Sequence, residues 1–234
     1  MFAIYKRELS SYFTSTIGYI FMAVFLALSG ALLWLTTFFS ATTSCANYFF
    51  ILIVFFVILV PILTMKLLSD ERRTKTDQIL LTAPVSLFSI VSAKFFAAFT
   101  LFEGTFLISL LNLVAVGKYG TLNMAEVISN FIGVTCVAAA LIAIGLFISS
   151  LTESQFVAAI GSIAVILVMI LVGLFSASIG NDFIRVAVKW FSILDRYANF
   201  RSGLFDVSSI VYYISISAIF IFLTVRVLEK RRWA

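Results

Sequence analysis

The sequence predicts an all-α polytopic membrane protein with six transmembrane helices, and three observations lead there. Apolar residues make up 62% of the 234 and charged residues 12%, with a mean hydropathy of +1.15. Soluble domains average about 45–50% apolar and about 25% charged, so lipid must be the solvent for most of this chain. Six apolar runs, 17–39, 48–68, 95–116, 127–151, 156–179 and 208–225, are each long enough to cross about 30 Å of hydrocarbon at 1.5 Å per residue. These runs are apolar on all sides, without the period-2 alternation of a membrane β-barrel, so each is read as a helix.

The spans and their loops use nearly all of the chain, and residues 1–234 are read as one membrane domain. The basic start, with Lys6 and Arg7, is followed by an apolar run too long for a signal h-region, so no cleavable leader is expected. The fourth and fifth spans are separated only by Thr152, Glu153, Ser154 and Gln155, which requires a tight antiparallel hairpin. Along these two spans Gly133, Ala138, Ala139, Ala140, Gly145, Ala158 and Gly161 offer small faces for close helix approach.

Basic residues set the orientation. With the N-terminus inside, the inner segments carry Lys6, Arg7, Lys66, Arg72, Arg73, Lys75, Lys94, Arg226, Lys230, Arg231 and Arg232. The outer ones carry Lys118, Arg185, Lys189, Arg196 and Arg201. The positive-inside rule then predicts that both termini are cytoplasmic. The net charge of +5 is no nucleic-acid signal, because its bases flank apolar runs.

Two stretches outside the spans are amphipathic. In residues 1–16, Phe2, Tyr5, Leu9, Tyr12 and Phe13 share one helical face and Lys6, Arg7, Ser10 and Thr14 another, the pattern of a helix lying in the headgroups. In residues 182–206, Phe183, Val186, Trp190, Phe191, Leu194 and Tyr197 face one way and Arg185, Lys189, Ser192 and Arg196 the other. Spacing alone fits either an aromatic belt on the outer surface or a helix tucked into the mouth of a pathway.

The densest polar segment follows the second span. Asp70, Glu71, Arg72, Arg73, Lys75 and Asp77 open it with acids ahead of bases, as a helix dipole favours, and Glu71 and Lys75 have the spacing of an i, i+4 pair. It turns apolar through Ile79, Leu80 and Leu81 before Pro84 prevents smooth continuation. A short charged helix over 70–84 is expected to project into the cytoplasm, either as a solvated anchor or as a docking element.

The run Asp70-Glu71-Arg72-Arg73-Thr74-Lys75-Thr76-Asp77-Gln78-Ile79-Leu80-Leu81-Thr82-Ala83-Pro84-Val85-Ser86 resembles the signature after the second span of ATP-binding-cassette (ABC) permeases of the type-2 exporter class. It is particularly similar to the gliding-motility-associated branch, as are the segments 197–206 and 226–233. The resemblance implies a cytoplasmic coupling helix in which Glu71, Arg72, Arg73, Lys75, Gln78, Leu80, Leu81 and Pro84 meet a separate ABC ATPase subunit. It also implies pairing with a second permease copy or paralogue, and an outer gate segment that includes Trp190, Phe191 and Tyr197. Such a transporter sits in the cell membrane of a prokaryote. Lys75 stands where that family usually has Gly, which suggests a more regularly helical loop here.

No cofactor is expected on this chain; ATP and magnesium would sit on the partner ATPase. The sequence has no G-x-x-x-x-G-K-[ST] run to cradle phosphates. It has no histidine, and its two cysteines, Cys45 and Cys136, lie far apart, so neither a catalytic nor a metal site is expected. A non-transporting membrane scaffold is the alternative from another class. Glu103 breaks the apolar rule: it lies nine residues past Lys94, about 13 Å deeper along a helix. A carboxyl there costs about 2.5–3.5 kcal/mol, so it is read either as hydrogen-bonded to a neighbouring helix or as lining a pathway.

Overall fold

The computed structural model describes residues 1–40, 42, 44–76, 85–175 and 192–232. All regular elements among the described residues are helical, and six stretches are long and apolar enough to cross a membrane: Thr16–Phe38, Ala46–Arg73, Leu87–Lys118, Met124–Leu151, Gln155–Gly173 and Val207–Arg232. The chain is an all-α polytopic membrane protein.

Helix α1 (Phe2–Thr14) turns at Ser15 into α2 (Thr16–Leu33), whose span closes with a π turn over Trp34–Phe38. The elbow depends on Gly18, because a Cβ there would overlap the backbone carbonyl of Tyr12. Helix α3 (Ala46–Thr64) contains Pro61 in its last turn; a turn over 65–68 separates it from the short α4 (Ser69–Arg73). Helices α5 (Leu87–Ser109) and α6 (Leu111–Tyr119) form the third span. Helix α5 starts well upstream of the apolar run at Phe95, because the Ser86 hydroxyl caps it by accepting from the Ser89 N–H at 3.3 Å. Lys94 therefore lies inside a helix.

Helix α7 (Met124–Leu151) begins at Asn123, whose side chain accepts from the N–H groups of Ala125 and Glu126. Thr152, Glu153 and Ser154 then turn the chain into α8 (Gln155–Phe175). Helix α9 (Ile193–Arg201) is capped by Ser192, which accepts from the Asp195 N–H at 3.1 Å, and α10 (Val207–Arg232) completes the chain.

Helix α7 is the centre of the bundle and packs against α3, α5, α8, α9 and α10. Within its most apolar window 67% of residues are buried inside the chain, against 22% for α10, most of which lies on the outside of the bundle. In lipid, close packing and not water exclusion holds helices together, and the small residues of α7 permit it. A Cβ on Gly133 would come within 2.8 Å of both Tyr197 and Phe200, and one on Gly145 would overlap the Thr64 hydroxyl. Beside these contacts, Phe25 of α2, Phe56 of α3 and Phe102 of α5 form a buried aromatic cluster, with Phe102 edge-on to the other two at 5.6 and 5.2 Å between centroids.

Candidate functional site

The polar residues of the fold gather at its two ends, and the denser group surrounds α4. That helix ends in a Schellman motif: the Thr76 N–H donates to the Glu71 carbonyl at 3.0 Å and the Lys75 N–H to the Arg72 carbonyl at 3.2 Å. The motif puts the residue after the cap in the left-handed region, and Lys75 is there with φ of +56°. The sequence-based expectation of a more regular helix is thus corrected. Lysine here takes the backbone conformation that glycine adopts at lowest cost, and the helix stops before it.

The expected pair between Glu71 and Lys75 is also absent, since Lys75 lies past the helix end. Glu71 instead points back into the bundle, where its carboxylate accepts from the Lys94 ammonium at 2.8 Å and from Arg7 at 3.4 Å. Lys94 is 1% exposed and reaches a second carboxylate, Glu8, at 3.1 Å; Arg7 pairs with Glu8 at 2.8 Å. Two cations and two anions from α1, α4 and α5 thus form one closed, charge-balanced network, the condition under which buried charge is tolerated. Burial works against the charged form of Glu8, but Lys94 and Arg7 outweigh it and hold its carboxyl below the ordinary value. The hydrogen bond to Glu8 raises the pKa of Arg7 in turn.

On its other side α4 is tied to the hairpin between α7 and α8. Arg72 pairs with Glu153 at 2.8 Å, and Gln155 donates to Asp70 at 2.5 Å. Tyr12 of α1 donates to the Leu63 carbonyl at 3.1 Å and so fastens α1 to the end of α3; burial raises its pKa. A cavity of about 330 Å³ lies between these elements, lined by Arg7, Glu8, Tyr12, Lys66, Glu71 and Lys94. Arg73, Thr74, Lys75 and Thr76 are exposed. The coupling residues expected from the sequence therefore divide: Glu71 and Arg72 face their own chain, Arg73 and Lys75 face outward. Gln78, Leu80, Leu81 and Pro84 lie outside the described residues.

At the opposite end α9 packs on α7, α8 and α3. Tyr197 and Phe200 are fully buried in the notch opened by Gly133, and the Tyr197 hydroxyl donates to the Asn130 side chain. Burial raises the Tyr197 pKa. Ser192, which the helical pattern placed on the polar face, is buried against Gly173, because its hydroxyl is spent as the cap. The Tyr213 hydroxyl of α10 donates to the Ile193 carbonyl at 2.8 Å, and Arg201 donates to Asn47 at 2.6 Å. Glu126 accepts from the Ala46 N–H at 2.7 Å and from Ser44 at 2.8 Å, so α7 caps the start of α3. Trp190 and Phe191 lie outside the described residues.

Glu103 is half-buried, and both its oxygens lie within reach of the Thr135 hydroxyl on α7, at 3.1 and 3.2 Å. Sequence reasoning missed Lys94 and Ser149 as site residues. By sequence Lys94 reads as an inner anchor, and a single serine in an apolar run gives no signal by itself. Among the described residues no cluster of His, Cys, Asp and Glu has the makings of a metal site.

Residues 36–229 match the family described as ABC-2 family transporter protein, a match that takes in α3 to α9 whole and includes Glu71, Lys94 and Glu153. No curated protein matches the chain. A match over this much of the chain, on six apolar spans, identifies a membrane component of a transporter: the chain belongs to the ABC-2 transporter family.

Proposed function

We propose that this chain is the permease subunit of an ABC exporter, which forms the translocation pathway with a second permease and is driven by ATPase subunits seated on its cytoplasmic face. The observation that carries the reading is the setting of α4. A solvated anchor would need no partners, yet α4 is held on one side by Lys94 and on the other by Glu153 and Gln155, while Arg73 and Lys75 remain turned outward. Ion pairs and a hydrogen bond thus connect the segment to α1, α5 and the α7–α8 hairpin. ATP and magnesium belong to the partner ATPase, since this sequence has no phosphate-binding loop.

The likeness to the gliding-motility-associated branch favours a prokaryotic cell membrane, and the excess of basic residues around α4 and at both termini favours a cytoplasmic position for them. On the same reading α1 lies in the inner headgroups and α9 closes the outer mouth of the pathway.

The test is co-purification with the ABC ATPase and an ATPase rate that depends on this chain. Reversing both outward charges, Arg73→Glu with Lys75→Glu, should leave expression and the unfolding midpoint near wild type and reduce ATPase binding at least ten-fold. Wild-type binding and stimulation by a well-folded double variant would refute a docking role for α4. A wild-type chain that captures no ATPase would favour a membrane scaffold.

A further inference from the structure

A helix that begins at Ser69 leaves its first N–H groups without intrahelical acceptors. Serine, threonine, aspartate or asparagine before the helix ordinarily supplies one, but the residue there is Leu68, which has no acceptor on its side chain. The acceptor comes from another helix. Ser149 of α7 accepts from the N–H groups of Leu68 and Ser69, each at 3.1 Å, and its hydroxyl donates to the Met65 carbonyl at 3.2 Å. A hydroxyl has one proton and two lone pairs, so all of its capacity goes into the break between α3 and α4. Ser149 is 0% exposed, and water cannot take its place.

The neighbouring residues explain why the break falls within reach of α7. Pro61 has no N–H and interrupts the ladder of α3 in its last turn, and Thr64 turns its hydroxyl onto the Val60 carbonyl at 3.0 Å. Gly145, one turn before Ser149 on the same face of α7, has no side chain to keep Thr64 away.

We propose that Ser149 is a positioning residue for the coupling segment: a cap supplied by α7 that sets α4 at a hinge over 65–68 and makes α4 move with α7. The proposal rests on the exporter reading above. Of the other ties of α4 on this side, Glu153 to Arg72 comes from the turn that directly follows α7, and Gln155 to Asp70 from the first residue of α8 just beyond that turn.

The experiment uses the full chain in complex with its ATPase, and compares wild type, Ser149→Ala and Ser149→Thr, which keeps the hydroxyl. Hydrogen exchange of the peptide spanning Leu68 and Ser69 should be about ten-fold or more faster in Ser149→Ala, with peptides from α5 and α10 unchanged. ATPase stimulation should fall several-fold at undiminished ATPase binding, and Ser149→Thr should restore both. Unchanged exchange at Leu68 and Ser69 in Ser149→Ala would overturn the cap. Faster exchange with full stimulation would overturn the positioning role. If Ser149→Ala loosened every peptide alike, the role would be general packing and the proposal would fall. A wild-type chain that binds no ATPase would refute the exporter reading alone, and the exchange measurement, made on the permease by itself, would still decide the cap.

Discussion

Replacing Lys94 by methionine removes the one cation that the network buries completely. The variant leaves Glu8 and Glu71 facing each other with side chains 12% and 17% exposed. Breaking a buried pair by deleting one partner costs about 3–5 kcal/mol, because the remaining charge is uncompensated. Arg7 stays within 2.8 Å of Glu8 and 3.4 Å of Glu71 and offsets part of that loss, so the lower end, about 3 kcal/mol, is expected. For a chain of this length that is a fall in the unfolding midpoint of about 6–12 °C. Arg7→Gln touches the same two carboxylates, but the Arg7 side chain is 59% exposed, and a solvent-screened pair contributes only about 0–1 kcal/mol. The triple variant Lys94→Met, Glu8→Gln, Glu71→Gln carries no stranded charge and should recover most of the loss.

The Glu8 contribution to the pH dependence has a definite sign. Glu8 has a folded pKa below its unfolded value, so its stabilising contribution is complete above the unfolded value, near pH 4.5, and is lost as pH falls through the folded one. Lys94→Met should remove part of that acid-side loss. Midpoints measured in detergent from about pH 8 down to about pH 2.5 for all four proteins provide the check. A Lys94→Met midpoint within about 2 °C of wild type, or an Arg7→Gln loss as large as that of Lys94→Met, would refute the assignment of the network's stability to its buried cation.

Two further outcomes follow from local geometry. Lys75→Gly should raise stability by about 0.5–1 kcal/mol and slow exchange of the Thr76 amide, since glycine takes the left-handed position at lower cost; a slower exchange in Lys75→Val instead would contradict the Schellman assignment. Glu103→Gln keeps an acceptor for the Thr135 hydroxyl and should shift the midpoint little, whereas Glu103→Leu should lose about 0.6–2 kcal/mol, typical of an interhelical hydrogen bond; equal midpoints for the two variants would show that this bond contributes nothing.

Most of the architecture was legible from composition alone, because a span is a local property: about 20 apolar residues must become a helix in lipid whatever surrounds them. The N-terminal amphipathic helix and the buried face of Tyr197 follow from 3.6-residue periodicity in the same way. Where a polar residue contradicted the local pattern, tertiary structure decided. Lys94 reads as the end of an anchor until Glu8 and Glu71 arrive from segments distant in sequence and make its burial tolerable. Glu71 and Lys75 have helical spacing, but a pair requires that the helix continue, and the Schellman turn ends it between them. Ser149 in an apolar run is silent until the break after α3 is brought against it. The sequence by itself determined what must lie in lipid and what must be helical, since the solvent imposes both residue by residue. Which charges are internal ties and which face outward was decided only by the tertiary structure, because the energy of a buried charge or an uncapped N–H depends on a partner that the chain folds back to supply.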